Sequence, residues 1–156
     1  MADDRAPGTA RTLPTQGLVN RIVNGLLHVP LVARGIGRPL ITLHVVGRRS
    51  GKRYTVPVAY TRHGDELLIG TPFGWARNLR TGDTVEVNFK GRRRTADVVV
   101  LIDEASVVED YRIIARDNRS FARFNNIRRD ATGNPDPDDL RQAWVAGARV
   151  LRLRLR

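Results

Sequence analysis

The sequence predicts an α+β protein: six antiparallel strands, a helix ahead of them, and one or two helices inserted before the last strand. Three observations lead there. Between residues 40 and 102, five short runs rich in β-branched and apolar residues recur, separated by turns that contain glycine. Residues 16–30 and 103–114 instead space their apolar side chains as a helix does. The terminal VLRLRLR alternates strictly, leucine against arginine, as a strand with one wet face would. Six short strands leave two raw edges unless the sheet curls, so closure into a small barrel is the expected arrangement.

Taken in order, residues 1–14 are polar and broken by Pro and Gly, and they read as a flexible leader before a single domain over 15–156. A chain of 156 residues with 41% apolar content has the material for one core. From Gln16, the residues Val19, Ile22, Val23, Leu26 and Leu27 share one helical face, with Asn20, Arg21, Asn24 and His28 off it, and the helix stops near Pro30. Such a helix either covers one end of the core or makes peripheral contact with a membrane. The strands follow as 40–46, 54–61, 66–71, 84–90 and 94–102. The turns GRRSGKR, RHGD and KGRR each supply a glycine where a reversal needs positive φ. Residues 103–114 form a helix with Ser106 and Glu109 as its capping box and Val107, Tyr111 and Ile114 on one face. TGNPDPDD, 132–139, is a loop, and the last strand sets Leu151, Leu153 and Leu155 against Arg152, Arg154 and Arg156, whose exposure solubility alone explains.

Composition removes several kinds of chemistry. With 27 Lys and Arg against 16 Asp and Glu, the net charge of +11 favours an anionic partner. The absence of cysteine excludes disulfides, thiolate metal sites and a cysteine nucleophile. The start lacks the basic and apolar regions of a secretory signal, and the most apolar stretch, 17–36, is interrupted by Arg21, Pro30 and Arg34. A cytoplasmic location follows, with membrane association through the first helix as the variant. His28, His44 and His63 stand at no metal-ligand spacing, and His44 reads as a residue of the barrel wall. The carboxylates cluster in pairs such as Glu109 and Asp110 without suggesting a buried acid/base couple. Any catalysis therefore belongs to an organic cofactor that the protein positions. FARFNNIRR, 121–129, interleaves aromatics with arginines as single-strand binders do, yet no nucleic-acid motif accompanies it, and nucleic acid is not an expected partner.

Two segments stand out as candidate sites. Gly47, Arg48, Arg49, Ser50, Gly51, Lys52 and Arg53 place four cations and a hydroxyl in one turn, which suits either a phosphate cradle or an ordinary charged hairpin. It is not a Walker A loop, because only three residues separate its glycines and a strand follows. The second segment, 72–80, contains Phe73, Trp75, Arg77 and Asn78. It can grip a flat heteroaromatic ring by stacking and hydrogen bonding, or Trp75 can simply plug the core.

The run LHVVGRRSGKRYTVPVAYTRHGDELLIGT, then WARNLRTGDTVEV and the closing ARVLRLRL, resembles the deazaflavin (F420)-dependent nitroreductase or quinone reductase family. That family has the split β-barrel fold shared with pyridoxamine phosphate oxidase-like flavoproteins. The resemblance spans residues 36–102, with weaker agreement to the end. It implies that Arg48, Arg49, Ser50, Gly51, Lys52 and Arg53 hold the phosphate of F420, that Pro57, Val58 and Ala59 lie against the deazaflavin, and that Trp75 and Asn78 pack at the cofactor. The sequence departs from the common family pattern at Tyr54, Pro72, Phe73 and Gly74. The implied activity is hydride transfer from reduced F420 to a small electron acceptor: a quinone, a nitroaromatic or an activated alkene. Tyr60 and Tyr111 are the candidate catalytic proton donors, and Phe73 the candidate wall of the acceptor pocket. The alternatives are FMN in the same cradle, or a non-catalytic binder of F420 or lipid.

Overall fold

The structure, a computed structural model, describes residues 39–156. The leader at 1–14 and the helix expected after Gln16 lie outside the described residues. One antiparallel sheet organises the rest. Its strands are β1 (Leu40–Val46), β2 (Arg53–Ala59), β3 (Thr61–His63), β4 (Glu66–Thr71), β5 (Thr84–Phe89), β6 (Arg92–Leu101) and β7 (Arg149–Leu155), in the spatial order β2-β1-β5-β6-β7-β4-β3. The sheet curls into a half-barrel whose edges, β2 and β3, are joined through Tyr60.

Seven strands, not six, make this sheet. The run 54–61 looks like one strand because every residue in it suits a pleated surface, but its pairing partner changes midway. Leu40 to Val46 pair with Ala59 to Arg53 at one edge, whereas Thr61, Arg62 and His63 pair with Leu68, Leu67 and Glu66 at the other. Tyr60 makes the crossing, its ring turned onto Phe89 with centroids 5.5 Å apart.

The concave face of the sheet is the first core layer. Ile41, Leu43, Val45, Val87, Leu67, Ile69, Val98, Leu151 and Leu153 are almost wholly buried, each contributing roughly 1.5–3 kcal/mol through loss of apolar surface to water. The other face of β4 and β7 carries the helices: α1 (Glu104–Asp117), α2 (Arg119–Phe124) and α3 (Pro137–Val145). Among the described residues, three helices thus stand between β6 and the last strand, where one or two were expected. Asp136 accepts hydrogen bonds from Asp138 N and Asp139 N, so the expected loop 132–139 already starts a helix at Pro137. Val107, Tyr111, Ala115, Ala122, Ile127, Leu140, Ala148 and Val150 form the second core cluster. Gly70 makes this layer possible, since a Cβ there would lie 2.7 Å from both the Tyr111 and Phe121 rings.

Two local expectations change. The cap of α1 is Asp103, whose Oδ2 accepts from Ser106 N at 3.0 Å, and this bond holds the carboxyl below its ordinary range. Glu109 is held instead by Arg112 at 2.6 and 3.0 Å. The arginines of β7 are not a merely wet face either. Arg152 grips the fully buried Asp110 through two bonds, Nε to Oδ2 at 2.7 Å and Nη2 to Oδ1 at 2.8 Å. Arg154 meets Asp65 at 3.3 Å and Arg156 meets Asp97 at 2.8 Å.

Candidate functional site

The β1–β2 connection is a hairpin loop with its own internal bonds. Gly47 N donates to Lys52 O at 2.7 Å and Gly51 N to Gly47 O at 2.9 Å, while Lys52 N donates to Ser50 Oγ at 3.2 Å. Gly51 sits at φ +68°, a left-handed conformation that side chains disfavour. A Cβ on Gly47 would fall 2.8 Å from Ser50 Oγ, so that glycine is fixed by close approach within the loop. Ser50 Oγ accepts one bond and keeps its proton for another acceptor. Among the described residues, the N–H groups of Arg49 and Ser50 have no hydrogen-bond partner, nor do the side chains of Arg49, Lys52 and Arg53, of which Arg53 acts on Glu86 through its charge alone.

Arg48 behaves differently from its neighbours. Its main-chain N–H donates to Asn78 Oδ1 at 3.0 Å, its Nε to Asn78 O at 3.0 Å and its Nη2 to Asp83 Oδ2 at 2.7 Å. Asn78 Nδ2 in turn donates to Trp75 O at 3.0 Å, closing the short 3₁₀ helix Gly74–Asn78. Asp83 Oδ2 also accepts from Arg80 N at 2.8 Å. The two segments singled out from the sequence are therefore brought together, but Arg48 and Asn78 point at each other. Arg48 is a clamp that fixes the loop against the 3₁₀ helix. Its guanidinium has already met its counter-charge.

Behind the loop lies a cavity of about 1030 Å³, lined among others by His44, Arg53, Tyr54, Glu86 and Arg93. His44 faces Thr55 on one side and Glu86 on the other in the strand register, and its Nε2 is buried without a hydrogen-bond partner. Glu86 is paired with Arg93, whose hydrogen bond and charge hold its carboxyl below the ordinary range. The free cations of this wall are thus those of the loop itself. Along β2, Val58 lies opposite Ile41 and shares the core-facing side, while Pro57 and Ala59 take the alternate side. Pro57, Val58 and Ala59 are not among the residues that line the cavity. Pro57 suits the position, because β2 is an edge and one missing N–H costs little there.

The remaining candidates separate. Trp75 is buried and plugs the core, its carbonyl rather than its ring serving Asn78. Phe73 leans on Phe124 with ring centroids 6.0 Å apart, and its N–H donates to Thr71 Oγ1 at 3.1 Å. Tyr60 lies at the junction of the sheet edges, nearly buried on Phe89. Tyr111 is a different case from the donor expected of it. Its side chain is wholly enclosed between α1 and β4, edge-on to Phe121 at 4.9 Å, its Oη has no partner, and burial pushes its phenol well up. A hydroxyl sealed there reaches no ligand. Sequence reasoning missed Asp83, the anchor of the Arg48 clamp; it placed His44 in the sheet wall, where β1 carries it, but not its unpartnered Nε2. Asp83 carries no local signal, since it acts on a residue 35 positions away.

Residues 22–130 match the sequence profile described as F420H(2)-dependent quinone reductase. Among curated proteins no relative matches the chain. Solved structures show distant similarity. A candidate 5-nitroimidazole antibiotic resistance protein from Bacteroides thetaiotaomicron is 12% identical, with 87% of this chain and 78% of that one covered at a TM-score of 0.47. An F420-H2 dependent reductase (FDR-A) is 13% identical, with 73% and 94% covered at 0.45. An FAD and heme binding protein from Mycobacterium smegmatis is 21% identical, with 76% and 62% covered at 0.44. All three scores stay under 0.5, so the architecture stands on this chain's own sheet. No helix of the described residues is long and apolar enough to cross a membrane, and those residues hold no cluster of metal-ligating side chains.

Proposed function

Since the chain belongs to the F420H(2)-dependent quinone reductase family, a family of oxidoreductases, we propose that a single domain over 15–156 binds coenzyme F420 in the β1–β2 loop and the cavity behind it. The acceptor is a quinone, a nitroaromatic or an activated alkene. The observation that carries this reading is the unshared charge of the loop. Among the described residues Arg49 and Lys52 have no carboxylate partner, Arg53 makes no hydrogen bond or ion pair and acts on Glu86 through its charge alone, two N–H groups and the Ser50 proton remain free beside them, and the Arg48 clamp holds the loop in place. A phosphate needs that donor set, and a cavity of about 1030 Å³ is of the size that cofactor sites have.

When bound in reduced form, the deazaflavin supplies a hydride from its C5. The chain's own residues bind, orient and protonate. Arg49, Ser50, Lys52 and Arg53 hold the phosphate, Gly51 turns the loop so that they can, and Arg48 with Asn78 positions them. Pro57, Val58 and Ala59 offer a strand for the ring, the first and third with side chains and Val58 through its backbone. Holding donor and acceptor in contact supplies much of the rate on its own. Tyr60, next to Ala59, is the proton donor of this reading, and Phe73 walls the acceptor side. Titrating the purified protein with F420 and with FMN, followed by fluorescence, tests it. F420 is expected to bind at micromolar concentration and FMN far more weakly. Preferential binding of FMN, or binding of neither, overturns it.

A further inference from the structure

The arginines of FARFNNIRR are not absorbed by that site. They surround a separate cavity of about 690 Å³ on the helical side of the sheet, between α2 and the loop that follows it. Ala122 and Ile127, both almost fully buried, form its apolar floor, and Arg119, Arg123, Arg128 and Arg129 stand around it.

These four guanidiniums are not equivalent. Arg128 is neutralised by Asp139, Nε to Oδ2 at 2.8 Å and Nη2 to Oδ1 at 3.1 Å, with Asp136 at 3.7 Å. Arg129 is immobilised by main-chain carbonyls alone, Nε to Gly133 O at 3.3 Å and Nη2 to Arg116 O at 3.2 Å, so it is fixed in place with its charge uncompensated. Gly133 is shaped to that guanidinium, because a Cβ there would lie 2.8 Å from Arg129 Nη2. Arg119 and Arg123, one helical turn apart, have no bond to any described residue. Among the described residues that line the cavity, Asp130 is the one carboxylate. Its Oδ1 accepts from Thr132 N at 2.9 Å, Thr132 Oγ1 at 2.7 Å and Asn134 N at 2.9 Å.

We propose that this cavity binds a small oligoanion, a phosphate ester or polycarboxylate with at least two negative charges, through Arg119, Arg123 and Arg129. Charge-assisted bonds to planar guanidiniums favour such oxyanions, and a pre-immobilised arginine loses little entropy on binding. A nucleic-acid strand suits the surface less well, since Phe121 is engaged with Tyr111 at 4.9 Å, which leaves Phe124 as the one exposed ring of the segment that could stack on a base.

The test titrates the full chain with pyrophosphate and, separately, with citrate at constant ionic strength, following arginine Nε–Hε NMR resonances. One or both are expected to shift Arg119, Arg123 and Arg129 saturably; pyrophosphate alone identifies a phosphate ester and citrate alone a polycarboxylate. The exposed double substitution Arg119→Gln with Arg123→Gln should weaken that binding at least about tenfold. The thermal midpoint and F420 titration should stay unchanged, so failure here is distinguishable from failure of the cofactor reading. Non-saturating shifts, shifts confined to Arg49 and Arg53, undiminished binding in the double variant, or saturation only by a single-stranded oligonucleotide overturns the proposal.

Discussion

The β1–β2 loop and the last strand carry arginine at similar density, yet the residue does opposite work in the two places. Along the end of β7 and at the residue after it, Arg152, Arg154 and Arg156 each have an acid within 3.3 Å, the partner of Arg152 being wholly buried, while Arg149 at the start of the strand has none among the described residues. In the loop, among the described residues, only Arg48 is ion-paired, and Arg49, Lys52 and Arg53 are exposed. A cation whose counter-charge is built into the fold contributes to folding or to positioning. A cation without one is available to a ligand. Net charge cannot distinguish them, whereas the pairing of individual residues does.

The sharpest way to break this contrast is to remove a β7 arginine that is tied to the core. Arg152→Met leaves the buried Asp110 without its partner, which is expected to cost about 3–5 kcal/mol of stability. For a domain of this size that is a fall in Tm of roughly 10 °C or more. Thermal unfolding checks it, and a drop of only a degree or two would show that Asp110 finds another partner. The loop should respond in the reverse sense. Arg49→Gln with Lys52→Gln is expected to weaken F420 binding by about 10- to 100-fold through lost charge-assisted bonds. Stability should stay within about 0.5 kcal/mol, as at other exposed sites. Fluorescence titration beside a melting curve separates the two effects.

Arg48 lies between these extremes and tests whether a paired arginine can still serve a ligand. Lysine cannot reproduce the fork that reaches both Asn78 O and Asp83 Oδ2. Arg48→Lys should therefore cost about 1 kcal/mol of stability and weaken F420 binding severalfold, less than the Arg49 and Lys52 pair. Asp83→Asn should mimic it, since the clamp fails from either end. If Arg48→Lys weakens F420 binding while Asp83→Asn leaves it intact, Arg48 touches the phosphate directly.

The strands were legible in the sequence because their period of two persists over several residues, and the cationic loop because seven consecutive residues carry it. Neither the break at Tyr60 nor the role of Arg48 has a local signature. The residues on both sides of Tyr60 have the same β character, and only the change of partner from β1 to β4 divides them. The partners of Arg48 lie 30 and 35 residues away. Asp110 was legible in principle. It sits three residues after Val107 and four before Ile114, on the apolar face of α1, where a carboxylate implies a buried cation. Counting it with Glu109 as an acidic pair hides that placement.

The smallest expected effect concerns the two tyrosines, one at the sheet junction and one in the helical core. Tyr111 Oη is buried with no partner, so Tyr111→Phe removes a desolvated hydroxyl and should stabilise by about 1 kcal/mol. It should leave turnover unchanged, whereas Tyr60→Phe should slow it. The pH dependence carries a matching sign. Burial raises the folded phenol above its ordinary value of 10.0, so its contribution is fully present below pH 10 and is lost as pH rises further, because only the unfolded chain releases that proton. Melting curves of both proteins across pH 9 to 11 isolate this group, since the other tyrosines are common to each. The steeper alkaline loss should belong to the chain that retains Tyr111. Equal slopes would mean that water reaches the hydroxyl, and the core position would then no longer bar Tyr111 from proton transfer.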